Sequence, residues 1–301
     1  MKNNNKKMIC NLLLDKLQII ANYGLFYGVL MPLSLLPFSI LYKISDILRY
    51  VLQYIIRYRK EVIEENLKHS FSNKNNNEIN KIVNQYYKHL ADIIVETIKG
   101  LTLREKNILK RYKCINKKLL YPYREDNQSI ILLSSHYNNW EYMVLSIALQ
   151  FNFLCVEIGK KQSNNIIGEL WRKRRMRYGT GAVNEKQLSK VLDKKTRIFP
   201  LIYMFLADQY PNNDDICYNA YFLNQDTHVI YGPEYLAKKY NLPVFFYYVN
   251  KVRRGYYEFF LEKITDTPRG TTYGYITETY LSKLSSQINS SPQYWQWSHK
   301  R

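Results

Sequence analysis

From Leu17 to Tyr42 the chain carries no charged residue. At about 1.5 Å per helical residue, such a run is long enough to cross a hydrocarbon core of about 30 Å. Pro32 and Pro37 interrupt it and Gly24 and Gly28 weaken it. The next apolar stretch, 44–56, is punctuated by Asp46 and Arg49, with Arg57 just beyond. This pattern predicts an N-terminal hydrophobic, membrane-anchoring helical segment over residues 1–57, followed by one larger domain over 58–301. Core helices of a soluble domain are the alternative. No small-residue cleavage site follows the run, which argues against a signal peptide. Lys2, Lys6 and Lys7 precede it and Arg57, Arg59 and Lys60 follow it, so positive charge assigns no orientation.

Beyond the anchor, 61–101 reads as helical with a polar break at 72–78. Strands alternate with helices after that. Residues 129–134 form a short apolar run ending in Ser135-His136, and Asn138-Asn139 can cap a helix over 140–150. A strand is expected at 152–158, helices at 165–178 and 186–193, and a buried strand over 198–206 closing on Asp208. Gly232-Pro233 opens a helix to Tyr240, strands follow at 243–249 and 256–263, and a last helix covers 275–289. The alternation predicts an α/β fold with a mainly parallel sheet flanked by helices.

Composition narrows the classes. A hydrophobic content of 46% in 301 residues suffices for one large domain. The balance of 44 basic against 25 acidic residues, a net of +19, favours anionic partners such as nucleic acid, lipid head groups or an acidic carrier protein. Cys10, Cys114, Cys155 and Cys217 are scattered without a CxxC pair, which fits neither a disulfide framework nor a zinc site.

His136 and Glu141 carry the clearest candidate chemistry. Five positions apart on one continuous helix they would diverge by about 140°, but a strand end for His136 and a first helical turn for Glu141 allow the turn between to fold them together. Ligands bind at such strand ends in open α/β sheets. An imidazole that takes a hydroxyl proton needs an acceptor at its other nitrogen, and Glu141 is the acceptor expected here. Read structurally, the same residues are a polar strand end and a favourable first-turn anion. Asp208 is either a second functional carboxylate or a support that orients the site, and His299 is expected to pack or cap. Arg172, Lys173, Arg174, Arg175 and Arg177 form a basic cluster suited to phosphate or carboxylate groups, or a solvated face.

The segment Ser134-Ser135-His136-Tyr137-Asn138-Asn139-Trp140-Glu141 resembles the H-x4-D/E block of the bacterial lipid A acyltransferase family, of the lysophospholipid-acyltransferase-like superfamily. Further blocks agree in order: Tyr58-Arg59 with Val62, Asn66-Leu67 and Phe71; Arg175 to Gly179; Asp208-Gln209 with Pro211; Gly232-Pro233 through Leu236-Ala237; and Pro292-Gln293-Tyr294 with Trp297, His299 and Arg301. The resemblance implies a glycerol-phosphate-acyltransferase-like αβα sandwich at the bacterial inner membrane, its active site on the cytoplasmic side. It implies transfer of a fatty acyl group from a thioester, carried by acyl carrier protein, to a hydroxyl of a membrane glycolipid. A lipid A precursor leads as acceptor, and another glycolipid or aminolipid is the runner-up. His136 and Glu141 would be catalytic, and Arg172, Arg174, Arg175, Arg177, Asp208 and Gln209 would bind substrate. A thioester is already activated, so no metal or other cofactor is expected. No G-x-S-x-G motif offers a serine nucleophile. A basic nucleic-acid-binding protein without catalysis is the competing class, and it leaves both His136 and the apolar N-terminus unexplained. The partners expected are therefore acyl carrier protein, glycolipid and bilayer, and no nucleic acid.

Overall fold

The computed structural model describes residues 16–159, 166–184, 188, 192, 199–211 and 217–299. Helix α1 covers Lys16–Leu35. Its turns widen to π-helix over Gly24–Leu30, immediately before Pro32, whose ring and missing N–H disfavour a regular bond to Gly28. Leu36 and Pro37 are extended and Pro37 starts helix α2, Phe38–Tyr50, so the chain breaks there between two N-terminal helices. Helices α3 (Lys60–Ser70) and α4 (Asn76–Gly100) flank the expected polar break, and Asn75 and Glu78 form a reciprocal capping box at the start of α4. A short helix α5, Glu105–Arg111, leads into the sheet.

Seven strands make one curled, mostly parallel sheet flanked by helices. They are β1 (Tyr112–Cys114), β2 (Ile130–Ser134), β3 (Leu154–Gly159), β4 (Thr180–Asn184), β5 (Leu201–Leu206), β8 (Val244–Arg253) and β9 (Tyr256–Thr265), in the order β1-β9-β8-β2-β5-β3-β4. A separate hairpin pairs β6 (Cys217–Phe222) with β7 (Gln225–Ile230). Leu223 and Asn224 both have positive φ at its two-residue turn, the twist-matched geometry for a tight hairpin. Helices α6 (Trp140–Gln150), α7 (Ile166–Arg175), α8 (Gly232–Tyr240) and α9 (Tyr275–Ser290) complete the described elements used below.

The expected fold class is the observed one. Every residue of β2 is buried and β5 is nearly so, as continuous apolar runs at the centre of a covered sheet should be. The sequence pattern did not mark β1, β4 or the β6/β7 hairpin, and β8 and β9 pair antiparallel. The helix expected at 186–193 lies largely outside the described residues.

The two N-terminal helices are seated on α4 by polar contacts. Lys99 Nζ donates to the carbonyls of Ser34 (3.0 Å) and Leu36 (2.8 Å), and Thr102 Oγ1 donates to Ser34 O at 2.7 Å. Ser45 donates to Asp92 at 2.8 Å, and Arg254 bridges Asp92 and Asp46. The outer face is apolar and exposed, including Leu17, Ile20 and Leu35 of α1 and Ile47 and Tyr50 of α2. Among the described residues α1 is the one helix long and apolar enough to cross a membrane.

Candidate active site

Strand register builds the site. In the parallel pair β2/β5, Ser134 stands opposite Leu206, so the residues two positions beyond each strand end, His136 and Asp208, emerge side by side. The backbone continues the match, with Ala207 N donating to Ser134 O at 3.1 Å. The Asp208 carboxylate then takes His136 by two atoms: Oδ1 lies 2.9 Å from His136 Nδ1, and Oδ2 accepts from His136 N at 3.0 Å. Trp295 Nε1 donates to Oδ2 at 2.8 Å. Asp208 is 2% exposed. Burial alone would raise its carboxyl, but the His136 charge and these hydrogen bonds together outweigh burial and hold it below the ordinary range.

The acceptor at His136 Nδ1 is therefore Asp208, where Glu141 was expected. Glu141 does sit in the first turn of α6, but its Oε2 pairs with Arg175 Nε at 2.8 Å. Arg175 also grips Glu157 of β3 with both terminal nitrogens, at 2.9 and 2.8 Å, so one arginine of α7 ties α6 to the sheet. Burial would lower the Arg175 guanidinium, yet Glu141 and Glu157 hold it above its ordinary value. Glu157 is pushed above the ordinary carboxylate range by burial, even with Arg175 beside it.

The other predicted residues separate. Gln209 joins the site, its side-chain amide lying 3.3 Å from both ring nitrogens of His136 and 2.6 Å from His299 Nε2. Arg172 pairs with exposed Glu169 at 2.8 Å. Arg177 turns back to the carbonyl of Leu103 and lies over the Tyr178 ring. Arg174 is half-buried and holds no carboxylate among the described residues. The cluster thus contains one structural bridge and one surface pair, and it is not a single anion cradle.

Three further residues belong here; sequence reasoning left Trp295 and Trp297 open between the membrane interface and the core and gave His299 no part in the site. Trp295 and Trp297 are in the core, and His299, expected to pack or cap, has its ring 6.1 Å from that of His136. A C-terminal strap brings them in: Asn138 N donates to Tyr294 O at 2.9 Å and Gln296 N to His136 O at 3.1 Å. Arg59 holds Ser298 O at 2.9 Å, and Asn66 Nδ2 holds the carbonyls of Trp297 (2.9 Å) and His299 (2.7 Å). The loop between strand and helix is fixed as firmly. Asn138 adopts positive φ, which asparagine tolerates, and its Nδ2 bonds Val249 O at 3.0 Å. Asn139 caps α6 through Tyr142 N at 2.8 Å. Trp140 closes one side of the imidazole, ring centroids 5.3 Å apart.

The model of the family described as bacterial lipid A biosynthesis acyltransferase matches residues 13–301. The chain belongs to that family. No curated protein matches it. Membership makes this lipid A acyltransferase relative an enzyme with an acyl donor and a lipid acceptor. No group of three or more His, Cys, Asp and Glu that could hold a metal occurs among the described residues. A pocket of ≈ 540 Å³ opens between the β6/β7 hairpin and Tyr210, the residue after Gln209, lined by Asn219, Asp226 and His228 among others.

Proposed function

We propose that the protein transfers a fatty acyl group from an acyl carrier protein thioester to a hydroxyl of a lipid A precursor, with His136 as general base. The observation that carries the reading is the Asp208 carboxylate 2.9 Å from His136 Nδ1. A carboxylate there places the proton on Nδ1 and leaves Nε2 as the basic nitrogen. Nε2 takes the acceptor O–H proton while the oxygen forms its bond to the thioester carbonyl carbon. As the tetrahedral intermediate collapses, the C–S bond breaks and the imidazolium returns the proton to the leaving sulfur. Asp208 keeps its charge throughout and stabilises the imidazolium. Glu141 acts on this centre through Arg175, holding α6 and its first turn against β3. Gln209, beside the basic nitrogen, and His299, beside Gln209, would meet the acceptor, and Arg172 and Arg174 would meet an acidic carrier or anionic head group.

Residues 1–57 would be the membrane segment, and 58–301 the acyltransferase domain at the cytoplasmic face of the inner membrane. The exposed apolar residues of α1 and α2 support this. The test is mass spectrometry of products formed by the full chain in mixed micelles from acyl carrier thioester and lipid A precursor. A product heavier by one acyl group is expected. Transfer to other glycolipids or aminolipids alone would replace the acceptor, and thioester hydrolysis without transfer would overturn the reading.

A further inference from the structure

Glu96 lies in the last turns of α4, away from His136, and is 0% exposed. A buried carboxylate needs donors, and three elements supply them. Tyr42 Oη of α2 reaches Oε1 at 2.9 Å. Oε2 accepts from Asn139 Nδ2 at 2.7 Å and from Tyr257 Oη of β9 at 2.8 Å. Asn139 is the residue between the His136 loop and α6, and its other side-chain atom caps that helix at Tyr142 N. Both ends of the Asn139 amide are therefore committed, one to Glu96 and one to the helix that carries Glu141. On the far side, Tyr42 is flanked by the β8/β9 turn. Arg254 lies over its ring with the guanidinium 4.4 Å from the centroid, and a Cβ on Gly255 would collide with its hydroxyl. Tyr42 belongs to α2, which also carries exposed apolar residues such as Ile47 and Tyr50.

We propose that Glu96 is a positioning residue for the transfer reaction: it ties the His136–Asn139 loop to the N-terminal helix α2 through Tyr42, so that the seating of α2 sets the turnover rate. The inference rests on the acyl-transfer reading above and adds a residue and a coupling to it. Neither Tyr42 nor Glu96 needs to touch substrate, so the effect belongs in kcat and leaves KM alone.

A double-mutant cycle in the full chain in mixed micelles tests this. Tyr42→Phe keeps the ring and removes one donor, and Asn139→Ala removes the loop's link. Each should lower kcat by about three- to tenfold with KM for both substrates unchanged, because a hydrogen bond to a buried carboxyl group is lost without loss of a binding contact. The double mutant should be no slower than the slower single mutant, since both act through Glu96. Glu96→Gln, which keeps one acceptor oxygen, should lie between wild type and Glu96→Ala. Fold losses that simply multiply, or a Tyr42→Phe variant with a lowered Tm and wild-type kcat, would overturn the link. Absence of transfer by the wild-type chain would instead overturn the reaction.

Discussion

Asp208 meets His136 because two strands that are distant in sequence are neighbours in the sheet. Its carboxyl lies below the ordinary value, so the stability it contributes is complete above about pH 3.9, the unfolded value, and is lost as pH falls through the native one. The Tm difference between wild type and Asp208→Asn should therefore hold above about pH 4 and shrink as the pH falls below it; a constant difference would mean that the native carboxyl is not held ionised. Both residues were legible singly, as polar residues closing apolar strands. Their pairing was not, since adjacency of β2 and β5 is a property of strand order and not of spacing. The five-residue interval to Glu141 offered a local partner instead, and that partner is taken by Arg175.

At the scale of elements, the strap 292–299 supplies what no single segment announces. Its aromatic residues were visible, but their direction depends on Arg59 and Asn66, far back in the chain, holding strap carbonyls. Trp295→Phe would keep the contacts to Phe222 and Trp297 and lose the N–H to Asp208. We expect kcat to fall by about three- to thirtyfold, with a modest loss of Tm, because one hydrogen bond to a buried carboxylate is removed; unchanged kcat would show that the strap does not hold Asp208. On α7, reversing Arg172 and Arg174 should raise KM for an acidic carrier, and the effect should fade at high salt because surface charges are screened within about 8 Å at physiological ionic strength. Salt-independent KM would return these two to a solvated face. Arg175 is unsuited to that test, since a carboxylate in its place would face Glu141 and Glu157.

Over the whole molecule, the two N-terminal helices are both attached and exposed: polar groups of α4 and the β8/β9 turn hold them, and apolar side chains of both are exposed. The charge-free run foretold the helices, and of the two prolines expected to interrupt it Pro37 does so while Pro32 lies within α1, but the buried contacts to Asp92 and Glu96 could not be read from the pattern. The full chain should stay with membranes in alkaline carbonate, and a chain lacking 1–42 should become soluble or unfold. Undiminished membrane retention of the truncated chain would place the anchor elsewhere.

The central claim is that His136 and Asp208 act as one catalytic unit, and kcat for acyl transfer by His136→Ala, Asp208→Asn and the double mutant tests it most directly. His136→Ala should lower kcat by about 10²–10⁴ with fold and membrane association intact. Asp208→Asn should cost a comparable or smaller factor, and the double mutant should be little worse than His136→Ala alone, because residues acting as a unit are strongly non-additive. Full activity in either single mutant, or two losses that multiply, would contradict the account.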